Sequence, residues 1–514
     1  MRRRYLLLPV VLLAGLTAAC TGAPTPSASG RPDNSAMVLA EAMEPASLNP
    51  LGGYAPYGAS KIFDGLLEYQ SDGSLRPVLA TGLPTPAPDG KSWTITIRNN
   101  VKFSDGSPLT AADVVATYQA LLNPAFASPL RGQYPMLTDV TQTDASTVRF
   151  GLAYPYAPFP NKLVLGIVPA ASVNNPTPIG TGPYVLQSWA KGQDLVLTDN
   201  PKYSLGAPPK VKRVTVEFVA DDATRAQRLR AGKLDGAALS PTQAAQFAKS
   251  DAFTVLTDPS ADLRAITLPE SNPVAADPTV RLALNQAVDR TSMVTKALGG
   301  QGAPAMTPIP SVLPEFVEPT ATFTYDATKA TAQLYAAGWV AGTDGIRSRN
   351  GVTAELTLDY PSGDTTDAAL AQQFADNAKV IGVKIDLAAV EPAQLVAKEG
   401  TDAVLISTGN PFDPDLTTYD LLDSAAGNAF GYRDAMVDTA LQTGRTQLDP
   451  GQRAVAYRAF QRAYVANPAL VCLVQVGHTY VLRANWTGYV LVTDAAGQGI
   501  NWGPLWNLDT WTPR

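Results

Sequence analysis

The stretch DGKSWTITIRNNVKFSDGSPLTAADV, residues 89–114, contains the clearest run of local structural signals in the chain. Apolar and polar residues alternate over Trp93–Arg98, which predicts a half-buried strand. Ser104-Asp105-Gly106 then predicts a turn. Thr110, followed three residues later by Asp113, predicts the capped start of a helix. A strand, a turn and a helix therefore follow one another directly.

The same alternation of strands and helices continues outward from this stretch. Strand patterns are followed by helical patterns, and glycines often stand where a helical pattern ends. The predicted strands include 211–219, 383–387 and 469–476, and the predicted helices are 224–230, 279–298, 329–337, 367–381 and 449–466. This order predicts an α/β fold, and the lack of a fixed-period repeat argues against a solenoid or a propeller.

The composition is that of a large folded protein. Of 514 residues, 45% are hydrophobic and 16% are charged, which supplies large cores and too little charge for a disordered chain. The net charge is −6 and no basic stripe is present, so nucleic acid is not an expected partner. Two cysteines and one histidine are too few for a zinc site made of several Cys and His ligands.

Residues 1–19 have the features of an export signal. Arginines follow Met1, an almost wholly apolar run reaches Leu16, and small residues come next. That run is shorter than the ~20 apolar residues of a membrane-spanning helix. The approach to Cys20 is similar to a bacterial lipobox, with Thr17 where Leu is commonest, so Cys20 is predicted to carry a lipid anchor. Residues 20–35, rich in Pro, Ser, Thr and Gly, are predicted to be a flexible tether.

Short phrases in the body of the chain carry further information. They are EPASLNP (44–50), IFDGL (62–66), PVLA (77–80), DGKSWT (89–94), VKFSDGSPLTAADV (101–114), PIGTGPY (178–184), LRAGKLD (229–235), VRLALNQAVDR (280–290), AAGW (336–339) and DPD (413–415). In this order they resemble the solute-binding proteins of peptide and nickel ABC transporters, the extracellular solute-binding protein family 5. Most of the phrases are turns and helix ends, so they identify the fold more than the ligand.

The resemblance implies a two-lobed, periplasmic-binding-protein-like α/β fold with a hinge and an extra third domain. The first lobe is expected to be discontinuous and the extra domain to pack on it. The expected boundaries are 36–58, 181–268 and 482–514 for the first lobe, 59–180 for the extra domain and 269–481 for the other lobe. Crossings near 262–269 and 478–485 would form the hinge, and ligand would stabilise the closed state.

The candidate ligand contacts lie on the second lobe. The resemblance implies an aspartate that pairs with a peptide α-ammonium, but the position counted back from Asp413-Pro414 holds Asn410, which has no charge. Either Asp413 or Asp415 has taken that role, or the ligand is not an ordinary free peptide. Asp413 is also a typical turn residue. Tyr432 follows a turn that borders the cleft in relatives, and it either lines the pocket or packs in the core.

Cofactor and enzyme chemistry find little support in the sequence. His478 is the only histidine, and one imidazole cannot hold a metal by itself, so no metal and no cofactor are expected. Haem would have to use His478 or a pocket without a ligand to the iron. Ser188-Trp189-Ala190-Lys191 matches S-x-x-K, but no K-T-G or S-D-N element stands beside it, and no G-x-S-x-G, H-E-x-x-H or P-loop occurs. The protein is therefore not expected to be an enzyme.

Cys472, in an apolar run, is expected to be a buried, inert thiol.

The resemblance implies a function and a place in the cell. The expected protein is a monomeric lipoprotein on the outer face of the bacterial cytoplasmic membrane. It would capture an oligopeptide or peptide-like solute in the interlobe cleft and deliver it to an ABC permease and ATPase. Asn410 favours a ligand without a free α-ammonium, such as an acylated peptide or a siderophore-like molecule. The alternatives are an envelope sensor or regulator with the same fold, and a binder of a metal chelate or haem.

Overall fold

The computed structural model describes residues 35–175, 177–495 and 497–514. The predicted export signal, Cys20 and nearly all of the predicted tether lie outside these residues. The strands are β1 (Ala36–Glu41), β2 (Leu67–Tyr69), β3 (Leu75–Pro77), β4 (Thr85–Pro86), β5 (Ser92–Thr96), β6 (Leu137–Gln142), β7 (Thr147–Leu152), β8 (Tyr184–Ala190), β9 (Asp194–Asp199), β10 (Arg213–Phe218), β11 (Gly236–Ala238), β12 (Phe253–Asp258), β13 (Leu263–Thr267), β14 (Gly302–Pro304), β15 (Val340–Ala341), β16 (Arg347–Arg349), β17 (Val352–Thr353), β18 (Glu355–Pro361), β19 (Lys384–Val390), β20 (Ala403–Thr408), β21 (Leu470–Val476), β22 (His478–Arg483), β23 (Trp486–Thr487) and β24 (Thr512–Pro513).

The helices follow the same chain order. They are α1 (Ala111–Leu122), α2 (Asp222–Arg230), α3 (Pro241–Ala244), α4 (Pro278–Ala287), α5 (Arg290–Ala297), α6 (Ala327–Ala336), α7 (Thr365–Val380), α8 (Pro392–Leu395), α9 (Asp415–Leu422), α10 (Ala435–Thr446) and α11 (Pro450–Ala466). Short 3₁₀ helices lie at Pro50–Gly52, Pro124–Phe126, Arg131–Gln133, Phe159–Val164, Ala170–Ser172, Ala245–Phe247, Gly499–Asn501 and Gly503–Thr510. None of these helices in the described part of the chain combines the length and apolar character needed to cross a membrane.

The first lobe is built on a seven-stranded sheet with the order β12-β22-β11-β1-β10-β9-β8. Its centre is parallel, because β1 pairs in parallel with both β10 and β11. An antiparallel four-stranded sheet, β4-β5-β7-β6, packs beside it together with α1. One continuous apolar core joins the two sheets; it includes Leu39 and Val216 from the larger sheet, and Ile95 and Phe150 from the smaller one.

The second lobe is built on a six-stranded sheet with the order β14-β21-β13-β20-β18-β19. Helices cover both faces, so successive residues of the central strand β13 enter different cores. Ala265 packs with Phe460 of α11, whereas Ile266 packs with Leu370 of α7. Strands alternating with helices on two lobes confirm the predicted α/β, two-lobed fold class. The domain boundaries stay predictions, because the four-stranded sheet and α1, which lie within 59–180, share their core with the seven-stranded sheet.

The chain passes twice between the lobes, over very short segments. It leaves the first sheet at Asp258, the end of β12, and enters the second at Leu263, the start of β13. It returns from β21 to β22 through Gly477 alone. A closure of the cleft must therefore be accommodated at 259–262 and at Gly477.

Local sequence signals explain most helix starts, with one correction. The carboxylate of Asp113 accepts hydrogen bonds from the backbone N–H and the hydroxyl of Thr110 at 2.8 and 2.7 Å, so α1 begins as predicted. The single predicted helix over 279–298 is wrong. It is two helices, α4 and α5, because Val288 is extended and Asp289 caps α5 by accepting the N–H of Ser292 at 2.9 Å.

Candidate functional site

An aromatic cluster joins the two lobes. It consists of Tyr57, Tyr69 and Trp502 from the first lobe and Phe412 from the second. The Phe412 ring stacks on Tyr69, with centroids 3.5 Å apart and planes within 7°. It also lies 5.0 Å from Trp502 and 5.9 Å from Tyr57, centroid to centroid. Phe412 is buried in the core of the first lobe, although its backbone belongs to the second.

The turn that presents Phe412 is made by Gly409 and Asn410. Gly409 has φ +134°, and a Cβ there would overlap the carbonyl oxygen of Ala261, so only glycine fits. The Asn410 Oδ1 accepts the N–H groups of Phe412 at 2.9 Å and of Asp413 at 3.3 Å, which is an Asx turn. Asn410 is buried and also lies near the Tyr57 hydroxyl. The structure thus places this predicted site residue at the boundary between the lobes.

Asp413 and Asp415 follow Phe412 closely in the chain, and each is paired with an arginine. The Asp413 carboxylate accepts a bond from Arg453 Nη2 at 2.8 Å. The Asp415 carboxylate accepts two bonds from Arg445, at 2.9 and 3.1 Å, and one from the Tyr156 hydroxyl at 2.9 Å. Burial raises the pKa of Asp415, and the Arg445 guanidinium only partly offsets this. Both carboxylates are neutralised within the protein.

Tyr432 lies away from the other predicted contacts. It is buried in a core of the second lobe, together with Phe430 and Tyr464. Its hydroxyl donates to the carbonyl of Asn467 at 2.8 Å. The structure therefore brings Asn410, Asp413 and Asp415 together and does not add Tyr432 to them.

A cavity of about 290 Å³ opens in the first lobe next to the aromatic cluster. We call it the first-lobe cavity. Its wall contains Pro56 and Asn501, the chain neighbours of Tyr57 and Trp502. Most of the wall comes from the loop that follows β1, from the C-terminal segment and from β9 and β10. The lining residues include Glu41, Met43, Glu44, Ala46, Tyr54, Leu195, Phe218 and Gly499.

Glu41, at the end of β1, is the unusual group in this cavity. Burial raises the pKa of its carboxyl group to about 8, and Arg225 only partly offsets that effect. Burial also raises the pKa of the Tyr54 hydroxyl to about 12. Glu41 and Tyr54 were not among the candidate site residues predicted from the sequence. The phrase EPASLNP marked the loop, but nothing in the local pattern showed that it forms a cavity wall.

A charged cluster ties the crossings between the lobes together. We call Asp262, Arg264, His478 and Asp494 the hinge cluster. His478 Nδ1 lies 2.8 Å from Asp494 Oδ2, and its Nε2 lies 3.1 Å from Asp262 Oδ2. Arg264 pairs with Asp262 and, at 2.7 Å, with Asp367 of α7.

The protonation of the hinge cluster follows from these contacts. Burial disfavours a charged His478, but its hydrogen bonds to Asp262 and Asp494 outweigh that effect and raise its pKa to about 10. Burial likewise opposes ionised Asp262, yet His478 and Arg264 lower its pKa to about 2. Within residues 35–175, 177–495 and 497–514, no group of three or more His, Cys, Asp or Glu side chains is placed to hold a metal ion.

Comparisons of the sequence and of the structure with known proteins agree with each other. The sequence profile of the bacterial extracellular solute-binding proteins, family 5, matches residues 74–430. Protein XP55 of Streptomyces lividans is 41% identical over 503 residues, covering 95% of this chain and 92% of the relative. The oligopeptide-binding protein AppA of Bacillus subtilis is 27% identical over 518 residues, covering 93% and 94%. The crystal structure of NikZ from Campylobacter jejuni in complex with Ni(L-His) superposes with a TM-score of 0.81 at 27% identity, covering 93% of this chain and 99% of that one.

Proposed function

The chain belongs to the bacterial extracellular solute-binding proteins, family 5, and we propose that it captures an oligopeptide or peptide-like solute between its lobes and delivers it to an ABC importer. The name of the AppA relative supports an oligopeptide as the ligand. Solute-binding proteins of this two-lobed form work by closing around a ligand, which stabilises the closed state.

The observation that carries the proposal is the aromatic cluster shared by the two lobes. Rings from the first lobe surround Phe412 of the second, so the two lobes contact each other through this cluster. Aromatic faces suit the side chains of a peptide, and an extended backbone can pair with a sheet edge or bridging waters. The adjacent first-lobe cavity provides room for one end of such a ligand.

The 410–415 loop supplies no free carboxylate for a peptide α-ammonium. Asn410 is uncharged, and Asp413 and Asp415 are each paired with an arginine. A charge-assisted hydrogen bond, worth roughly 1.5–3 kcal/mol, is therefore not available to an amine at this loop. The amino end of the solute is then either blocked, as in an acylated peptide, or paired elsewhere in the cleft.

We also propose that the mature protein is lipid-anchored through Cys20 outside the cytoplasmic membrane. The small residues before an early cysteine, after a short apolar run, support this proposal. One acyl chain anchors weakly, so a diacylglyceryl thioether is the expected form. Cys20→Ala should release the protein from the membrane fraction or stop its processing. Normal cleavage and membrane retention of that variant would rule the anchor out.

Mass spectrometry of the ligand released from the purified protein tests the binding function. We expect a peptide or peptide-like compound in one-to-one ratio with the protein. Adding that compound back to stripped protein should reduce the radius of gyration measured by small-angle X-ray scattering. Protein that never carries or binds such a compound, or that binds it without compaction, would contradict the proposed function.

A further inference from the structure

The wall of the first-lobe cavity holds Glu41 in a fixed place. Its carboxyl group lies against Gly499, where an added Cβ would stand 3.1 Å from the Glu41 carboxyl carbon. Gly499 also has φ +54°, so a side chain is disfavoured there by both space and backbone. Much of the surrounding wall is apolar, with Leu195 and Phe218 among its residues. A carboxyl group is thus held against a glycine in a mainly apolar cavity.

The charges near Glu41 leave it without an ionic partner. In the described part of the chain, no lysine, arginine or histidine forms an ion pair with it. Arg225 is the cation that lowers the pKa of Glu41. Its guanidinium already donates hydrogen bonds to the carbonyls of Val219 and Ala220, at 2.8 and 2.7 Å, and to the Asp222 carboxylate at 3.0 Å. Asp494, a like charge, opposes ionisation of Glu41. The carboxyl group therefore lacks a positive counter-charge.

Glu44, the other acid of this wall, is already satisfied. It accepts the indole N–H of Trp189 at 2.7 Å and the backbone N–H of Gly192 at 2.9 Å. Lys191 lies 3.9 Å from it. Glu44 therefore holds the loop in place, whereas Glu41 faces the cavity without such contacts.

Two further polar atoms line the cavity without a well-formed hydrogen bond. Tyr54 Oη and Asn501 Oδ1 are buried, and the Asn501 and Ser60 side chains interact with the Tyr54 hydroxyl without reaching normal hydrogen-bond geometry. Leaving a buried polar atom without a partner costs about 1–3 kcal/mol, so a ligand that donates to both is favoured. With Glu41 they make three oxygen acceptors, and a primary ammonium has three N–H donors.

We propose that the first-lobe cavity binds a primary ammonium group of the solute, with Glu41 as its counter-charge and Tyr54 and Asn501 as further acceptors. This inference rests on the proposed function and names the place where the amino end goes, since the 410–415 loop cannot hold it. At about 290 Å³ the cavity is near the lower end of ligand pockets, which span roughly 300–1,000 Å³, so it fits one end of a peptide.

Binding of the ammonium should release a proton. The Glu41 carboxyl is largely protonated at neutral pH, because its pKa is about 8. An ammonium in contact with it favours the carboxylate, so the proton leaves to the buffer when the ion pair forms. An N-acetylated peptide has no such charge and should release no proton.

Isothermal titration calorimetry with trialanine and N-acetyl-trialanine tests the inference. Titrations at about pH 6.5, where the α-amino group is charged, in two buffers of different ionisation enthalpy give the number of protons released. We expect trialanine to bind with release of nearly one proton, and Glu41→Gln to weaken it by about tenfold to a hundredfold and abolish the release. Binding of N-acetyl-trialanine should be weaker and should not respond to the substitution.

Glu315→Gln is the matched control, because Glu315 is exposed on the second lobe and forms no side-chain ion pair in the described residues. It should leave both titrations unchanged. Equal binding of both probes, or Glu41→Gln protein that still binds trialanine with proton release, would overturn the inference while leaving the proposed function intact. Failure of both probes to bind overturns the inference as well; the released-ligand experiment then decides the proposed function separately.

A second measurement checks that Glu41→Gln protein is folded. Folding raises the pKa of Glu41 from 4.5 to about 8, so the wild type should lose stability as pH rises from about 4.5 to about 8. Glutamine resembles the protonated carboxyl in shape and charge, so the variant should unfold at the wild-type temperature near pH 4.5 and at a higher temperature than the wild type at neutral pH. Glu41→Gln should lack that loss, and an unchanged pH profile would contradict the assigned protonation of Glu41.

Discussion

Cys472 shows how burial alone can make a thiol unreactive. The side chain lies in β21 with no exposed surface, and its Sγ is 3.5 Å from the Tyr464 hydroxyl. Burial raises the pKa of the thiol to about 11. The thiolate, which is the reactive form, is therefore scarce at neutral pH. The buried thiol that the sequence predicts is confirmed as a free, buried cysteine.

We expect Cys472 to resist a thiol reagent such as DTNB in the native protein. The measurement uses the Cys20→Ala protein, in which Cys472 is the only remaining cysteine. Absorbance should show no reaction in buffer and one thiol per chain in urea. As a control for access, a cysteine placed at the exposed Ser250 should react at once in the native state. Fast native labelling of Cys472 itself would contradict its burial.

Single residues also mark how far the sequence could predict the site. Asp-Pro-Asp at 413–415 predicts a turn, and the turn is there. The partners of its carboxylates are Arg453 and Arg445, which lie 40 and 30 residues further along the chain. They belong to helices that come close to this turn only in the folded protein. Local patterns carry no information on such contacts. The aromatic cluster was missed for the same reason, since its members span residues 57 to 502.

At the scale of elements, the Asp415–Arg445 pair fastens α9 to α10. Both side chains are almost fully buried, and the Arg445 guanidinium also stacks over the ring of Tyr419 at 3.1 Å. Two charges removed from water cost free energy, and their pairing offsets this cost. Removing one partner of the Asp415–Arg445 pair should therefore lower the free energy of unfolding more than replacing both.

We expect Arg445→Met to lower the free energy of unfolding by about 3–5 kcal/mol, because it leaves the buried Asp415 carboxylate without its cation. Urea unfolding followed by circular dichroism measures the loss. The double variant Asp415→Asn with Arg445→Met should recover much of it. Arg462→Met is the control: Arg462 is exposed beside Glu318, and such a pair is worth at most about 1 kcal/mol. Equal effects of the two arginine variants would contradict this account.

The break between α4 and α5 shows which information the prediction of helices from apolar periodicity lacked. The apolar pattern runs through 279–298 without interruption, so periodicity alone gives one helix. Asp289 was the available signal, because an aspartate is a strong N-cap. A cap inside a periodic run is ambiguous from sequence, since a mid-helix aspartate is also tolerated. Tertiary contacts decide here: the backbone N–H of Asp289 donates to Asn377 Oδ1 of α7 at 3.0 Å.

At the scale of the whole molecule, Phe412 links the lobes, because its ring packs in the core of the first lobe while its backbone belongs to the second. We expect Phe412→Ala to open the ligand-free protein, since Phe→Ala at a buried site costs about 3–5 kcal/mol and this cost falls on the closed arrangement. Small-angle X-ray scattering should show a larger radius of gyration than the wild type. Tyr57→Phe keeps its ring and should keep the wild-type radius. An unchanged radius for Phe412→Ala would show that closure does not depend on the aromatic cluster.

The hinge cluster fixes both crossings at once. Asp262 belongs to the first crossing, His478 directly follows the second, and Asp494 comes from the C-terminal segment of the first lobe. The backbone N–H of Asp494 donates to the carbonyl of Pro259 at 2.8 Å, and that of Val476 to Asp262 at 2.8 Å. Asp258 and Tyr480 face the same group, with the Tyr480 hydroxyl donating to Asp494 at 2.6 Å. A charged His478 therefore holds two carboxylates from different segments together.

This arrangement predicts a loss of stability in alkaline solution. Folding raises the pKa of His478 from 6.5 to about 10, so its contribution is complete below pH 6.5 and is lost as pH rises through about 10. Asp258 and Glu41, with pKa values raised to about 7 and about 8, act in the same direction, but the losses of stability that they cause are largely complete by about pH 8. The difference in unfolding free energy between wild type and His478→Gln should therefore shrink between pH 8 and 10, by up to about 1.4 kcal/mol per pH unit. Urea unfolding across that range measures it, and a constant difference would mean that His478 is neutral in the folded protein.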